Sequence, residues 1–138
     1  MRAPFYITLA QIDRERTIAT CRHGLVHLSW GRTTVRFTRD EFRRLAALLK
    51  HASEAPPPVS LRDGGLRVCT RPAEDCELQI GALVWLLPQD EFQRLSSTVR
   101  EAVKRLEDFL ASGGWKDEPD EPQASFFELL RKTYFSQN

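Results

Sequence analysis

The feature that most restricts the fold of this chain is an internal repeat at an offset of fifty residues. Residues Leu28 to Leu45 lie over residues Leu78 to Leu95 without a gap, with seven identities in eighteen positions: Leu28/Leu78, Gly31/Gly81, Asp40/Asp90, Glu41/Glu91, Phe42/Phe92, Arg44/Arg94 and Leu45/Leu95. The matches fall on a turn glycine, a helix start and its first inward residues. Each copy therefore reads as a tight hairpin feeding a helix.

Gly31-Arg32 and Gly81-Ala82 stand between alternating apolar runs. Glycine at the first position of a two-residue loop signals a type II′ turn, and such a loop fixes the strand register. Trp30 then faces Thr33, Leu28 faces Val35 and Val26 faces Phe37. In the second copy Ile80 faces Leu83, Leu78 faces Trp85 and Cys76 faces Leu87. Both sets form one apolar face.

Thr38-x-x-Glu41 is a capping box that starts the first helix, and Pro88 suits the first helical position of the second. Asp40, Glu41, Asp90 and Glu91 complement the positive helix ends. The spacing turns Phe42, Leu45, Leu48 and Leu49 inward in one helix, and Phe92, Leu95, Val99, Val103, Leu106 and Leu110 in the other. Gly113-Gly114 ends the second helix near Ala111. Upstream, Phe5–Ala10 and Arg16–Cys21 suit a further hairpin. Ser60–Leu61 and Leu66–Thr70, around Asp63-Gly64-Gly65, form its weaker counterpart. Pro56-Pro57-Pro58 separates the copies as a stiff linker.

The expected fold class is α+β: a duplicated strand-rich unit of about fifty residues, with an antiparallel sheet carrying helices on one face and a short C-terminal helix. The 138 residues suit one domain over 1–112, made of repeats at about 1–52 and 59–112. An acidic linker follows over 113–124, then an amphipathic helix over 125–136 capped by Ser125-x-x-Glu128.

Charge and cysteine usage narrow the function. Twenty basic and nineteen acidic residues leave +1, which does not imply wholesale polyelectrolyte binding. Three cysteines without tight spacing suit reduced thiols in the cytoplasm. The longest apolar run, Ile80 to Pro88, falls far short of the roughly 20 residues of a membrane span, so no membrane partner is expected. Cys21 and His23, with His27, Cys69 and Cys76 beyond them, are residue types that zinc accepts, but they lack the spacing of a zinc site. Cys21-x-His23 also lacks an orienting third group for thiol catalysis. Neither an enzyme nor a cofactor is expected.

Two binding readings remain. Along the second hairpin strand, the outward residues of the first copy are Thr34 and Arg36, whereas the second copy has Val84 and Leu86. An exposed apolar row on a strand calls for a cover. Phe126, Phe127 and Leu130 cluster on the C-terminal helix and suit that role, in cis or by exchange between two protomers. The leading expectation is thus a non-catalytic protein-interaction module that self-associates, as a homodimer, through its sheet face and C-terminal helix. The alternative uses charge asymmetry. Residues 1–52 hold ten basic against four acidic residues, and Arg32, Arg36, Arg39 and Arg43 then form an anion- or nucleic-acid-binding patch. No recognised nucleic-acid motif accompanies them, so nucleic acid is the less favoured partner.

Overall fold

The computed structural model describes residues 5–115. The expected linker beyond Trp115 and the expected helix over 125–136 lie outside them. Each repeat contributes a four-stranded antiparallel meander followed by a helix. The first comprises β1 (Tyr6–Gln11), β2 (Arg16–Cys21), β3 (Leu25–Trp30), β4 (Thr33–Thr38) and α1 (Arg39–Glu54). The second comprises β5 (Val59–Asp63), β6 (Leu66–Thr70), β7 (Cys76–Ile80), β8 (Leu83–Leu87) and α2 (Gln89–Ala111). The strand orders are β1-β2-β3-β4 and β5-β6-β7-β8 in two separate sheets. The fold is α+β with a repeated strand-rich unit, as the fifty-residue offset requires.

The hairpin registers are those the turn glycines dictate. Trp30 pairs with Thr33, Leu28 with Val35 and Val26 with Phe37. Ile80 pairs with Leu83, Leu78 with Trp85 and Cys76 with Leu87. Gly31 and Gly81 have φ of 66° and 60°, while Arg32 and Ala82 keep negative φ, which is the type II′ pattern. Gly64 repeats the device between β5 and β6 with φ of 58°. The β1–β2 turn works differently. Asp13 Oδ1 accepts from the amides of Glu15 and Arg16, and its other oxygen takes Arg16 Nη2 at 2.6 Å. The arginine holds this carboxyl below its usual range. A bulge between Thr8 and Ala10 then lets Leu9 and Ala10 both be buried.

The helix ends follow capping chemistry. Thr38 Oγ1 accepts from the Glu41 amide at 3.2 Å, and Glu41 Oε1 accepts from the Thr38 amide at 2.7 Å. Pro88 differs from its expected place. Its carbonyl accepts the first helical bond, from Phe92 at 2.8 Å, so it occupies the cap one residue before the helix, as Thr38 does in α1. A proline has no side-chain cap to offer, and Gln89 instead ties this end to the β6–β7 turn through Arg71 O and Glu74 O. At the other end, the Gly114 amide reaches Phe109 O and the Gly113 amide reaches Leu110 O, a Schellman closure.

The chain divides into two compact units that do not follow the repeat boundary. One holds residues 1–42 with residues from 101 onward, and the other holds residues 43–100. In the first unit the sheet's inner face and α1's first turn bury Ile18, Val26, Leu28, Val35, Phe37 and Phe42. Phe37 and Phe42 meet at 6.0 Å between ring centroids. Ala102 and Leu106, from the second half of α2, are buried in this unit, and Trp115 is covered by Arg22 at 5.5 Å. In the second unit Leu45, Leu49, Val68, Leu78, Ile80, Phe92, Leu95 and Val99 are buried. Ser96 Oγ joins its two helix segments by donating to Leu49 O and to Ser53 Oγ. Val103 and Leu110, expected to face inward, are only half-buried, and Ala102 is fully buried instead.

Two substitutions test this turn chemistry. Gly81→Val forces a β-branched side chain to positive φ and is expected to cost about 1–3 kcal/mol, read as a lower midpoint in denaturant melts. The Arg71–Glu74 turn has the opposite flaw, since Pro72 precedes Ala73, whose φ is 58°. The Glu74 amide closes this type II turn on Arg71 O at 3.3 Å. Ala73→Gly is expected to raise stability by about 0.5–1 kcal/mol; an unchanged or lower midpoint contradicts it.

Candidate functional site

Each sheet turns one face to the helices, so the exposed candidate residues stand on the opposite, outer faces. On the second sheet, strand alternation puts two rows outward. Ser60, Cys69, Glu77 and Leu86 form one row; Arg62, Arg67, Gln79 and Val84 form the other. Val84 is 47% exposed and Leu86 67%. Both stand on β8, the edge strand, whose five residues Leu83-Val-Trp-Leu-Leu87 are all apolar. No described strand pairs with its free side. Their counterparts on β4 are Thr34, whose hydroxyl bonds Ser29 Oγ at 2.9 Å, and Arg36.

On the first sheet the outer face is aromatic and polar. Thr8, Ala19, His27 and Arg36 form a row across the four strands, and Gln11, Thr17, Ser29 and Thr34 form the next. Tyr6 stands at the β1 end, and its ring meets the His27 ring edge-on at 5.2 Å. Phe5 continues the cluster, 5.8 Å from Tyr6 and 6.0 Å from His23, which lies in the β2–β3 turn. Phe5 is 59% exposed and Tyr6 52%. His27 Nε2 is enclosed and has no hydrogen-bond partner. Burial first, and the charge of Arg36 second, hold the His27 pKa below the usual 6.5. The imidazole is therefore neutral at pH 7, and Arg36 is the permanent charge on this face.

The sequence-derived candidates separate in space. Val84 and Leu86 stand together and exposed; Phe126, Phe127 and Leu130 lie outside the described residues. Two of the four arginines are held apart by β4. Arg32 is at the β3–β4 turn and Arg39 begins α1, at opposite ends of β4, a strand of six residues that spans roughly 20 Å. Arg36 points from the outer face, and Arg43 stands one turn beyond Arg39 on α1. Cys21 is buried, while His23 packs against Phe5. Among the described residues no three His, Cys, Asp or Glu side chains cluster as metal ligands do. Cys69 and Cys76 are free and lie on opposite faces of their sheet. Cys69 contacts Ser60 Oγ at 3.6 Å, and burial pushes the Cys76 thiol upward in pKa. No helix among the described residues is long and apolar enough to cross a membrane.

Sequence reasoning missed the Phe5, Tyr6 and His27 cluster. The alternation from β2 to β4 is legible, but the bulge in β1 breaks the count that would assign Tyr6 to a face. The signal that does survive is compositional: none of the residues in β1 to β4 is acidic.

The lowered His27 pKa has a definite sign. The fold disfavours the imidazolium, so this contribution to stability is complete above pH 6.5 and is lost as pH falls through the lower folded-state value. Thermal melts between about pH 7.5 and about pH 5 should show a smaller acid-side loss for His27→Gln than for wild type. Equal losses would contradict the burial of a neutral imidazole.

Compared with protein-family models, with curated proteins and with solved structures, the chain matches none.

Proposed function

We propose that this protein is a non-catalytic interaction module that self-associates through β8 and the outer face of its second sheet. The observation that carries the reading is the edge strand itself. Five consecutive apolar residues with a free backbone edge, two of them exposed at 47% and 67%, are what sequences normally avoid at a sheet border. The first repeat shows the avoided form on the same scaffold, with Thr34 and Arg36 in those positions.

Pairing β8 with the β8 of a second copy joins the two sheets across a two-fold axis. It satisfies the backbone donors and acceptors of both edges. It also sets Val84 and Leu86 of both copies in one continuous apolar strip, and each such side chain is worth about 1.5–3 kcal/mol when a cover fully buries it. The edge alone falls short of the roughly 1,200 Å² of a stable interface. The segment over 125–136 supplies the additional apolar surface through Phe126, Phe127 and Leu130. The Gly113–Ala124 segment before it reaches up to about 40 Å when extended, enough for either its own sheet or a partner's.

Light scattering after size exclusion tests this. Wild type is expected at twice the chain mass, with dissociation on dilution. Val84→Lys with Leu86→Lys is expected to give a folded monomer, because edge lysines oppose strand pairing. Deletion of residues 117–138 should shift the equilibrium toward monomer or toward irregular aggregation. A wild-type protein that stays monomeric at high concentration would sink the proposal.

A further inference from the structure

We infer that the outer face of the first sheet binds single-stranded nucleic acid, with bases stacking on Phe5 and Tyr6 and Arg36 meeting the phosphate backbone. The site goes beyond the self-association reading, since all of its residues lie in the first compact unit.

Of the five large hydrophobic residues exposed among the described residues, two are aromatic, and both belong to this one cluster. Phe5 and Tyr6 are more than half exposed. Stacking requires such accessible π-faces, and it tolerates any base because every base has one. Each ring meets a histidine, Phe5 with His23 at 6.0 Å and Tyr6 with His27 at 5.2 Å. The adjoining floor is small and hydroxyl-bearing, with Thr8, Thr17, Ser29 and Thr34. These side chains leave the face level and offer hydrogen bonds to sugars and phosphates.

Charge selects the occupant. No acidic residue occurs anywhere in β1 to β4, so nothing on the strands repels a phosphate. Arg36 is exposed on this face. An apolar protein partner would be served by aliphatic rows like that of β8, whereas here the apolar surface is aromatic and bordered by hydroxyls and a guanidinium. A strand-wide open face also suits a polymer lying across it better than an enclosed small molecule. The second sheet carries Arg62, Arg67 and Ser60 outward but none of the aromatic cluster. Glu77 stands where the first has His27, and Leu86 where it has Arg36.

Fluorescence anisotropy with a labelled oligo-dT of about 20 nucleotides and with an RNA of mixed sequence tests the site on the full chain. Wild type is expected to bind both single strands at low salt, to weaken as salt rises, and to prefer them to a duplex. Phe5→Ala with Tyr6→Ala is expected to weaken binding by about tenfold or more, and Tyr6→Phe to preserve it. Arg36→Gln, an exposed change that tests the site without disturbing the aromatic cluster, should weaken binding and lower the salt slope by about 0.7. Melting curves identify any variant that fails to fold. Absence of saturable oligonucleotide binding, preference for duplex, binding of anionic vesicles instead, or wild-type affinity in both the aromatic and the arginine variants would overturn the assignment.

Discussion

Everything in this molecule depends on which side of each strand faces inward, and two glycines decide it. Because side chains alternate with period two, a shift of one residue in either hairpin would carry Val26, Leu28 and Trp30, or Cys76, Leu78 and Ile80, to the outer face. The two-residue loops at Gly31 and Gly81 permit no such shift, since positive φ at their first position closes the turn in one register only. The same turns then point β4 and β8 toward the starts of α1 and α2. The apolar stripes of those helices need the inner faces that the register creates, and the outer faces inherit whatever the inner ones do not use.

The two copies differ where the common scaffold leaves freedom. Between β2 and β3 the turn is short, with Gly24 at φ of 79° and its amide bonded to Cys21 O. Thr20, buried beside that turn, donates its hydroxyl to Leu25 O at 3.0 Å. Between β6 and β7 the connection is longer and holds Ala73 at positive φ. Thr70, the counterpart of Thr20, is buried there with no hydrogen-bond partner for its hydroxyl. One turn change thus leaves a buried hydroxyl without its acceptor, a cost of about 1–3 kcal/mol. The second copy retains the threonine without the contact that explains it in the first.

What could be read from the sequence divides along a physical line. Local geometry was legible, because turn glycines, the Thr38 capping box and the Gly113-Gly114 stop act within a few residues of themselves. The exposure of Val84 and Leu86 was legible for the same reason, as it follows from the Gly81 turn by counting. The face to which Tyr6 belongs was not, since a bulge near Leu9 resets the count without any glycine or proline to announce it. Nor was the partition of the helices. Phe42 and Leu45 lie on one apolar stripe of α1, yet they belong to different compact units. Periodicity reports that a side chain is buried; it carries no record of which sheet buries it. The arginines of the first copy show the same limit. Arg32 and Arg39 are near in sequence, and the length of β4 holds them apart.

Duplication gives the protein two sheet surfaces of one design, and the chemistry of the outer rows has moved them apart. Inward positions tolerate little change, since Leu28 and Leu78 are both fully buried and any loss there opens a cavity. Outward positions carry no such cost, so Arg36 and Leu86, or His27 and Glu77, can differ in charge and polarity while the pairing beneath them stays the same. One face mixes Glu77 with Arg62 and Arg67 in its middle and is apolar along its β8 edge; the other has no carboxylate on its strands and carries exposed rings. An exposed leucine on an edge strand and an exposed tyrosine on a sheet face each oppose solubility, and neither contributes to the core. Leu86 stands where the first copy has Arg36, and Tyr6 belongs to a β1 whose bulge has no counterpart in the β5–β6 pairing, so the two outer faces differ in chemistry on a common scaffold.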